Sequence, residues 1–194
     1  YREELGLAPG TRVAMYSGNM GNKQGLEVLA EVAALLRDDP SVLFVFCGHG
    51  TGRDELMRRC EGLPNVRFLP LQPLSRLGDF LALADVHLLP QRADAADLVM
   101  PSKLTGMLSS GRPVVAGTRP DTELGQVVAQ CGRLAVPDDA RPFAQAVEAL
   151  ADQPELRREL GQRARAWAEE NLARDSVLRQ FETTLRECIA APRR

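Results

Sequence analysis

Short apolar runs that alternate with longer segments of helical periodicity constrain the fold of this chain more than any other feature. Each run is short enough, and apolar enough, to be a buried strand. The six runs are residues 12–16, 42–47, 66–69, 86–89, 114–116 and 134–136. One segment of helical periodicity fills each gap between them, which is typical of a parallel sheet with right-handed crossover helices. The sequence therefore predicts an α/β, Rossmann-like fold with a doubly wound, six-stranded parallel sheet.

The helices that this pattern predicts fall into two groups. Those between the strands are residues 26–36, 54–60, 77–84, 102–108 and 123–129. After the last strand, residues 143–150, 154–171 and 175–189 form an all-helical appendage with charged exposed faces. A short helix over residues 1–9 is expected to lead into the first strand. Because 194 residues lie within the size of one domain, we expect residues 1–194 to form a single domain.

Composition excludes several classes of function. A formal net charge of −2 lacks the electrostatic footprint of a nucleic-acid-binding protein, so no nucleic acid is expected. The four cysteines have no Cys-x-x-Cys spacing, which disfavours zinc and disulfide frameworks and suits a reducing, cytoplasmic location. No apolar run approaches the roughly 20 residues of a membrane span, and no signal-peptide pattern opens the chain. No cofactor is implied.

Ligands of open parallel sheets bind beyond the carboxyl ends of the strands, so the loop after the first run is informative. Residues 17–25, Ser-Gly-Asn-Met-Gly-Asn-Lys-Gln-Gly, combine glycines that allow close backbone approach with the cation of Lys23. Neither the Gly-x-Gly-x-x-Gly fingerprint nor a Gly-Lys-Ser/Thr ending is present. The loop is therefore predicted to face a phosphate outside the common nucleotide motifs, and a plain strand-to-helix turn is the alternative.

Two further loops follow predicted strands. Residues 48–53 add His49 and Arg53 to a glycine-rich turn, which suits pocket lining and tight turning equally well. Residues 100–104, Met-Pro-Ser-Lys-Leu, open a helix, with Ser102 as its predicted cap and Lys103 beside its positive end. We expect an anion to bind there.

Other polar residues near the strand ends have competing interpretations. The carboxylates of residues 94–97 could meet sugar hydroxyls, although a solvated acidic loop is the alternative and their spacing makes a poor metal site. Gln72 could present its amide or backbone to a base edge, and Arg92 is a candidate cation. His87 lies within an apolar run, where a hydrogen-bonded structural histidine is expected. Trp167 and the arginines of residues 157–165 are expected to be core and solvated surface respectively.

Several stretches together resemble the C-terminal domain of retaining GT-B glycosyltransferases of the group 1 type, including those of colanic-acid and related exopolysaccharide clusters. They are YSGNMG (16–21), KQGLE (23–27), NVRFLPLQP (65–73), ADVHL (84–88), PSKL (101–104) and SGRPVVA (110–116). Their order and spacing match along nearly the whole chain.

The resemblance implies a UDP- or GDP-sugar donor whose base lies near residues 68–72 and whose diphosphate lies between residues 18–23 and Ser102-Lys103. Lys103 and Lys23 are the implied catalytic cations. The implied substrate-binding residues are Gly18, Asn19, Gly21, Gly48, His49, Leu69, Gln72, Arg92, Asp97, Pro101, Ser102, Leu104 and Glu123. Transfer in this family retains the anomeric configuration without an essential metal, so no metal site is expected.

One departure from the family concerns its Glu-x7-Glu pair, whose second member binds ribose. Alignment through Gly111 places Leu98 and Gly106 at the two positions. Asp97, one place from the first, and Glu123, near the next strand end, are the candidate substitutes.

As a C-terminal half, the chain is expected to lack the N-terminal acceptor domain of the same protein and to be inactive alone. The missing domain is the expected route to peripheral association with the inner face of the plasma membrane. Two rivals share the fold: a GT-B sugar-nucleotide epimerase, which needs acid and base residues in the cleft, and a degenerate, non-catalytic nucleotide-binding module, which the absent glutamate favours.

Overall fold

The computed structural model describes residues 1–21, 24–95 and 100–190 and contains the predicted parallel sheet. The strands are β1 (Arg12–Ser17), β2 (Val42–Cys47), β3 (Val66–Leu69), β4 (Val86–Leu89), β5 (Val114–Gly117) and β6 (Gly132–Ala135). All neighbouring pairs are parallel, in the order β3-β2-β1-β4-β5-β6. The doubly wound Rossmann-like fold is thus confirmed.

The helices follow the predicted pattern. They are α1 (Glu27–Leu35), α2 (Arg53–Arg59), α3 (Leu77–Ala82), α4 (Lys103–Ser109), α5 (Glu123–Cys131), α6 (Ala140–Asp152), α7 (Pro154–Asn171) and α8 (Arg174–Ala190). Short 3-10 turns cover Leu74–Arg76 and Ala93–Ala95.

Two predicted elements were wrong. The lead-in helix over residues 1–9 is only a set of turns, because Gly6 adopts φ +62 directly after the hydrogen bond from Leu5 N–H to the Tyr1 carbonyl. The sixth strand begins at Gly132 rather than at residue 134, and Val136 lies outside it and is 59% exposed. Gly132 is required there, since a Cβ atom would lie 2.0 Å from the Val114 carbonyl oxygen.

Both faces of the sheet are buried, as a doubly wound fold requires. Along β1, Ala14 and Tyr16 face a cluster shared with α1, α2 and α6, whereas Val13 and Met15 face a second cluster that includes Phe80 of α3. Around β5 a third cluster joins α4, α5 and α7, and the partly buried Trp167 packs against it. The site-bearing loops are therefore anchored on a packed central sheet.

The topological switch point lies between β1 and β4. From β1 the chain moves outward through β2 and β3, then crosses back to place β4 on the other side of β1. Loops that leave the carboxyl ends of such a pair diverge and leave a crevice between them. The loop after β1 and the start of α4 border this crevice.

A cavity of about 530 Å³ lies at the opposite, amino edge of the sheet and is lined by several arginines, among them Arg112, Arg157 and Arg165. Arg112 donates to the Ala82 carbonyl at 3.0 Å, Arg157 to Ala151 at 2.6 Å and Arg165 to Ser109 at 2.7 Å. Those carbonyls belong to the ends of α3, α6 and α4, where helix dipoles place partial negative charge. The arginines at this edge thus stabilise helix ends, a structural role beyond the solvated face expected for residues 157–165.

Most described side chains of the C-terminal helix α8 are exposed, including those of the apolar residues Val177, Leu178, Phe181 and Leu185. Within the ranges that the structure describes, no helix combines the length and apolarity needed to cross a membrane.

All four cysteines are free thiols; Cys188, on α8, is exposed, and the other three are buried. Burial raises the pKa of Cys60 and Cys131 to about 11, so these two thiols stay neutral at physiological pH.

Candidate functional site

Backbone hydrogen bonds tie the glycine-rich loops after β1 and β2 together. Gly18 N–H donates to the Cys47 carbonyl at 3.0 Å, Met20 N–H to His49 at 2.7 Å, and Gly52 N–H to Met20 at 2.7 Å. This approach leaves no room for a side chain at position 48. Gly48 adopts φ +155, and a Cβ atom there would lie 1.9 Å from the Gly18 carbonyl oxygen. The glycines therefore place two backbone segments side by side at the crevice.

Lys103 reaches from the first position of α4 across the crevice to β1. Its ammonium donates to the Tyr16 hydroxyl and to Gln24 Oε1, each at 2.7 Å, and lies 4.5 Å from the Tyr16 ring centroid. The lysine also covers Gly18, where a Cβ atom would lie 3.6 Å from Lys103 Cε. The predicted meeting of the glycine loop with the residue 100–104 segment is therefore present in the fold.

The charge on Lys103 has no counter-charge among the residues that the structure describes. It makes no ion pair there, and both of its hydrogen-bond acceptors are neutral oxygens. Burial, with no offsetting carboxylate, lowers its pKa to about 8. The ammonium is consequently a partly desolvated positive charge, which an anionic ligand would stabilise.

Tyr16 is a site residue that the sequence patterns missed. It lies one position before the end of β1 and is fully buried, and its hydroxyl donates to the Asn19 carbonyl at 2.6 Å. Burial raises its pKa, so the phenol stays protonated. An available signal was that a tyrosine at the end of a buried strand, directly before a polar loop, needs a partner for its hydroxyl. The sequence pattern places Gln24 in the glycine-rich loop but does not predict its bond to Lys103.

The predicted capping role of Ser102 was wrong. Ser102 already has helical backbone angles, φ −57 and ψ −28, and its side chain makes no capping hydrogen bond. Instead, Leu104 N–H donates to the Pro101 carbonyl at 3.0 Å, and Thr105 Oγ1 donates to the Ser102 carbonyl at 2.8 Å. The exposed Ser102 hydroxyl remains open to a ligand, whereas the Leu104 side chain is in the core and offers only its backbone.

Arg92 is engaged by carboxylates. Its guanidinium lies 3.2 Å from Asp94 and 3.4 Å from Glu27, both of which raise its pKa. The same segment is fixed by Ala93 N–H, which donates to Asp138 at 2.9 Å, and Asp138 itself adopts φ +58. Arg92 is thus paired on the α1 side of the crevice, and a ligand would have to compete with two carboxylates for it.

Four further candidates lie at or after the ends of β2, β3 and β5. The Gln72 side chain is occupied, since its oxygen accepts from Tyr1 at 2.9 Å and its nitrogen donates to Pro70 at 2.7 Å. His49 is exposed after β2, Leu69 is half-buried at the end of β3, and Glu123 is exposed at the start of α5. No hydrogen bond or ion pair joins these four to Lys103 in the described part of the chain. Lys23, Asp97 and Leu98 lie outside the described residues.

Position 106 faces α3. A Cβ atom on Gly106 would lie 3.3 Å from Leu81 Cδ1, so a longer side chain there would have to displace a leucine. No carboxylate takes its place beside Lys103 among the described residues.

His87 is structural, as its apolar setting predicted. It is fully buried, its Nε2 lies 3.0 Å from Ser110 Oγ, and burial lowers its pKa to about 3. Within the described ranges no group of three or more His, Cys, Asp or Glu side chains is arranged to hold a metal ion.

This chain is similar to known proteins in sequence and in fold. A family model described as "Glycosyl transferases group 1" matches residues 11–153. Among curated relatives, WcaI of Escherichia coli K12, named as a colanic acid biosynthesis glycosyl transferase, is 39% identical over 190 residues. The match covers 95% of this chain but 46% of WcaI, so the chain spans about half the length of that relative.

Solved structures of other proteins share the fold, and two of them illustrate the likeness. Anabaena HepE (Alr3699), solved in complex with UDP, has a TM-score of 0.80 at 19% identity, covering 96% of this chain and 51% of HepE. The C-terminal domain of the group 1 protein LpcC from Francisella tularensis has a TM-score of 0.70 at 16% identity, covering 88% of this chain and 90% of that domain. The GT-B half predicted from the sequence is thereby confirmed as the fold.

Proposed function

This chain belongs to the glycosyl transferases group 1 family, and from that premise we propose that it binds the nucleotide-sugar donor of a two-domain glycosyltransferase. The acceptor would be held by a further domain, in keeping with the chain spanning about half of WcaI and of HepE. HepE has been solved with UDP and with UDP-glucose, which supports a nucleoside diphosphate sugar as the donor class.

The observation that carries this proposal is the Lys103 ammonium at the switch point, which makes no ion pair with any residue in the described part of the chain. A partly buried charge without a counter-charge is costly, and a diphosphate in the crevice would supply that counter-charge. During transfer the bond between the sugar and the diphosphate breaks, and negative charge builds up on the departing phosphate oxygens. An ammonium fixed beside them stabilises that charge and lowers the barrier.

The remaining assignments extend the proposal around Lys103. Backbone groups of Gly18, Asn19 and Gly21, with Lys23, would border the diphosphate opposite Pro101, Ser102 and the Leu104 backbone. Residues 68–72 would receive the base, and Gln72 would contribute backbone groups because its side chain is already bonded. Gly48 and His49 would line the crevice, and Arg92, Asp97 and Glu123 would meet the sugar or ribose.

The finer chemistry is proposed from the family resemblance. We expect a UDP- or GDP-sugar donor, retention of anomeric configuration, no required metal, and a polysaccharide or glycolipid acceptor at the cytoplasmic membrane face. The name of WcaI supports exopolysaccharide assembly. An assay of sugar transfer by the whole protein in the presence of EDTA tests whether a metal is required. Assignment of the product anomer by NMR in the same assay tests whether the anomeric configuration is retained.

Calorimetric titration of the 194-residue chain with UDP, GDP and uridine tests the donor-binding role. We expect one diphosphate to bind at least about tenfold more tightly than uridine, because only the diphosphates reach Lys103. Equal affinities for UDP, GDP and uridine would remove the basis of the proposal.

Assays of sugar transfer distinguish half of an enzyme from a non-catalytic nucleotide-binding module. The glycine at position 106, where the family has a glutamate, favours the non-catalytic module. The isolated chain should transfer no sugar, and the whole protein should do so. Turnover by the isolated chain would contradict the two-domain proposal, and binding without transfer by the whole protein would favour the non-catalytic module.

A further inference from the structure

We propose that Tyr16 is a positioning residue, whose hydroxyl, fixed by the Asn19 carbonyl, holds the Lys103 ammonium at the donor diphosphate. This inference rests on the function proposed above, since it assigns the residue that prepares Lys103 for that ligand. Tyr16 is not expected to touch the substrate.

The direction of the hydrogen bonds supports this role. The Tyr16 hydroxyl has a single hydrogen, which it donates to the Asn19 carbonyl at 2.6 Å. Its oxygen lone pairs are therefore left for the Lys103 ammonium at 2.7 Å. Gln24 Oε1 accepts a second ammonium hydrogen at 2.7 Å, which leaves the third hydrogen for a ligand.

The rigidity of the tyrosine matters because a lysine side chain is long and loses much rotamer freedom when fixed. Tyr16 belongs to β1, which pairs with β2 and β4, and is fully buried in the core cluster shared with α1. A flexible cation is thus held by a buried residue of the packed central sheet. Ordering Lys103 before the ligand arrives reduces the entropy that binding must overcome.

The described charged groups around Lys103 leave two neutral acceptors to orient its ammonium, the Tyr16 hydroxyl and Gln24 Oε1. Burial keeps the Tyr16 phenol protonated and lowers the pKa of Lys103 to about 8. On neighbouring elements, Glu27 of α1 and Asp94 both contact the Arg92 guanidinium rather than Lys103. The ammonium is therefore held by neutral acceptors and stays available to an anion.

Tyr16→Phe tests the proposal, because phenylalanine keeps the ring and removes only the acceptor. The first measurement is the Lys103 pKa, from the ¹³Cε shift in a pH titration. The sequence has two lysines, Lys23 and Lys103, so Lys103→Met assigns the signals. Loss of a hydrogen bond to the charged form should lower the Lys103 pKa by on the order of one further unit. An unchanged pKa would overturn the proposal without reference to any nucleotide.

The second measurement is a double-mutant cycle with UDP and uridine at pH 7. Tyr16→Phe should weaken UDP binding by on the order of five- to tenfold and change uridine binding less than about twofold. In the Lys103→Met background the same substitution should have almost no effect on UDP, because Tyr16 acts through the lysine. Effects that multiply fully in the double variant would show an independent role for Tyr16.

Ser110→Ala is the matched control, since it removes another hydroxyl directly after α4, bonded to His87 and Met107 at the opposite edge of the sheet. It should reduce stability and leave UDP affinity unchanged. If Tyr16→Phe does not fold, 3-fluorotyrosine, whose oxygen is a weaker acceptor, should also lower the Lys103 pKa. If Lys103→Met binds UDP as tightly as the parent does, the proposed function is contradicted. If Lys103→Met binds UDP more weakly but Tyr16→Phe binds it as the parent does, only the positioning role of Tyr16 is contradicted.

Discussion

The affinity of the chain for UDP should fall as the pH rises through about 8, because the protonated form of Lys103 binds the diphosphate. In the free chain burial sets the pKa of Lys103 at about 8, and a bound diphosphate raises it, so binding takes up a proton above that pH. About nine-tenths of the lysine is charged at pH 7 and about one-tenth at pH 9, so affinity should fall by at most about tenfold between these two pH values. At lower pH the terminal phosphate of UDP gains its own proton near pH 6, which limits the affinity from the acid side.

Lys103→Met should remove the alkaline fall and weaken UDP binding at pH 7 by roughly ten- to a hundredfold, the range for a hydrogen bond between charged groups. Arg179→Met, which removes a charge from the exposed helix α8, is the matched control and should keep the parental profile. Calorimetry from pH 6 to 9.5 measures both. A Lys103→Met variant with the parent's affinity and pH profile would refute the assignment.

Two other substitutions test the surroundings of the site. Gly48→Ala should lower the free energy of unfolding, measured in urea, by about 2–4 kcal/mol, because its Cβ atom would meet the Gly18 carbonyl oxygen. Gly62→Ala is the control, with φ +77 and open space around the position, and should cost about 1–2 kcal/mol. Equal costs would argue against the close contact of the two loops. Gly106→Glu should raise the pKa of Lys103, three residues away on the same helix face, and weaken UDP binding; stronger binding would instead assign position 106 to ribose.

Buried strands were predictable where every residue is apolar, as in β2, whose predicted and observed bounds coincide. The error at β6 arose because Gly132 and Arg133 lack an apolar signature, although Gly132 is dictated by the neighbouring Val114 carbonyl. The lead-in helix failed for a local reason, the left-handed Gly6. Periodicity therefore located elements that bury side chains but not those limited by backbone contacts.

The sequence likewise predicted which loops form the candidate site but not which side chains contact each other there. The rule that ligands bind at the carboxyl ends of parallel strands located the two loops that meet at Lys103. The partners of each side chain could not be predicted, since Tyr16 and Lys103 are 87 positions apart and Arg92 and Glu27 are 65 apart. The apolar pattern of β1 predicts that the Tyr16 ring is buried, but it does not predict the partners of the Tyr16 hydroxyl.

The choice of lysine at position 103 follows from these contacts. The chain has 24 lysine and arginine residues, of which 22 are arginines and two, Lys23 and Lys103, are lysines. The planar guanidinium of arginine requires acceptors in a fork and keeps its charge at all physiological pH values. A compact ammonium instead fits between one hydroxyl and one amide oxygen, beside a glycine that offers no side chain. Two hydrogens of the Lys103 ammonium are thus donated to Tyr16 and Gln24, and the third can be donated to a diphosphate oxygen.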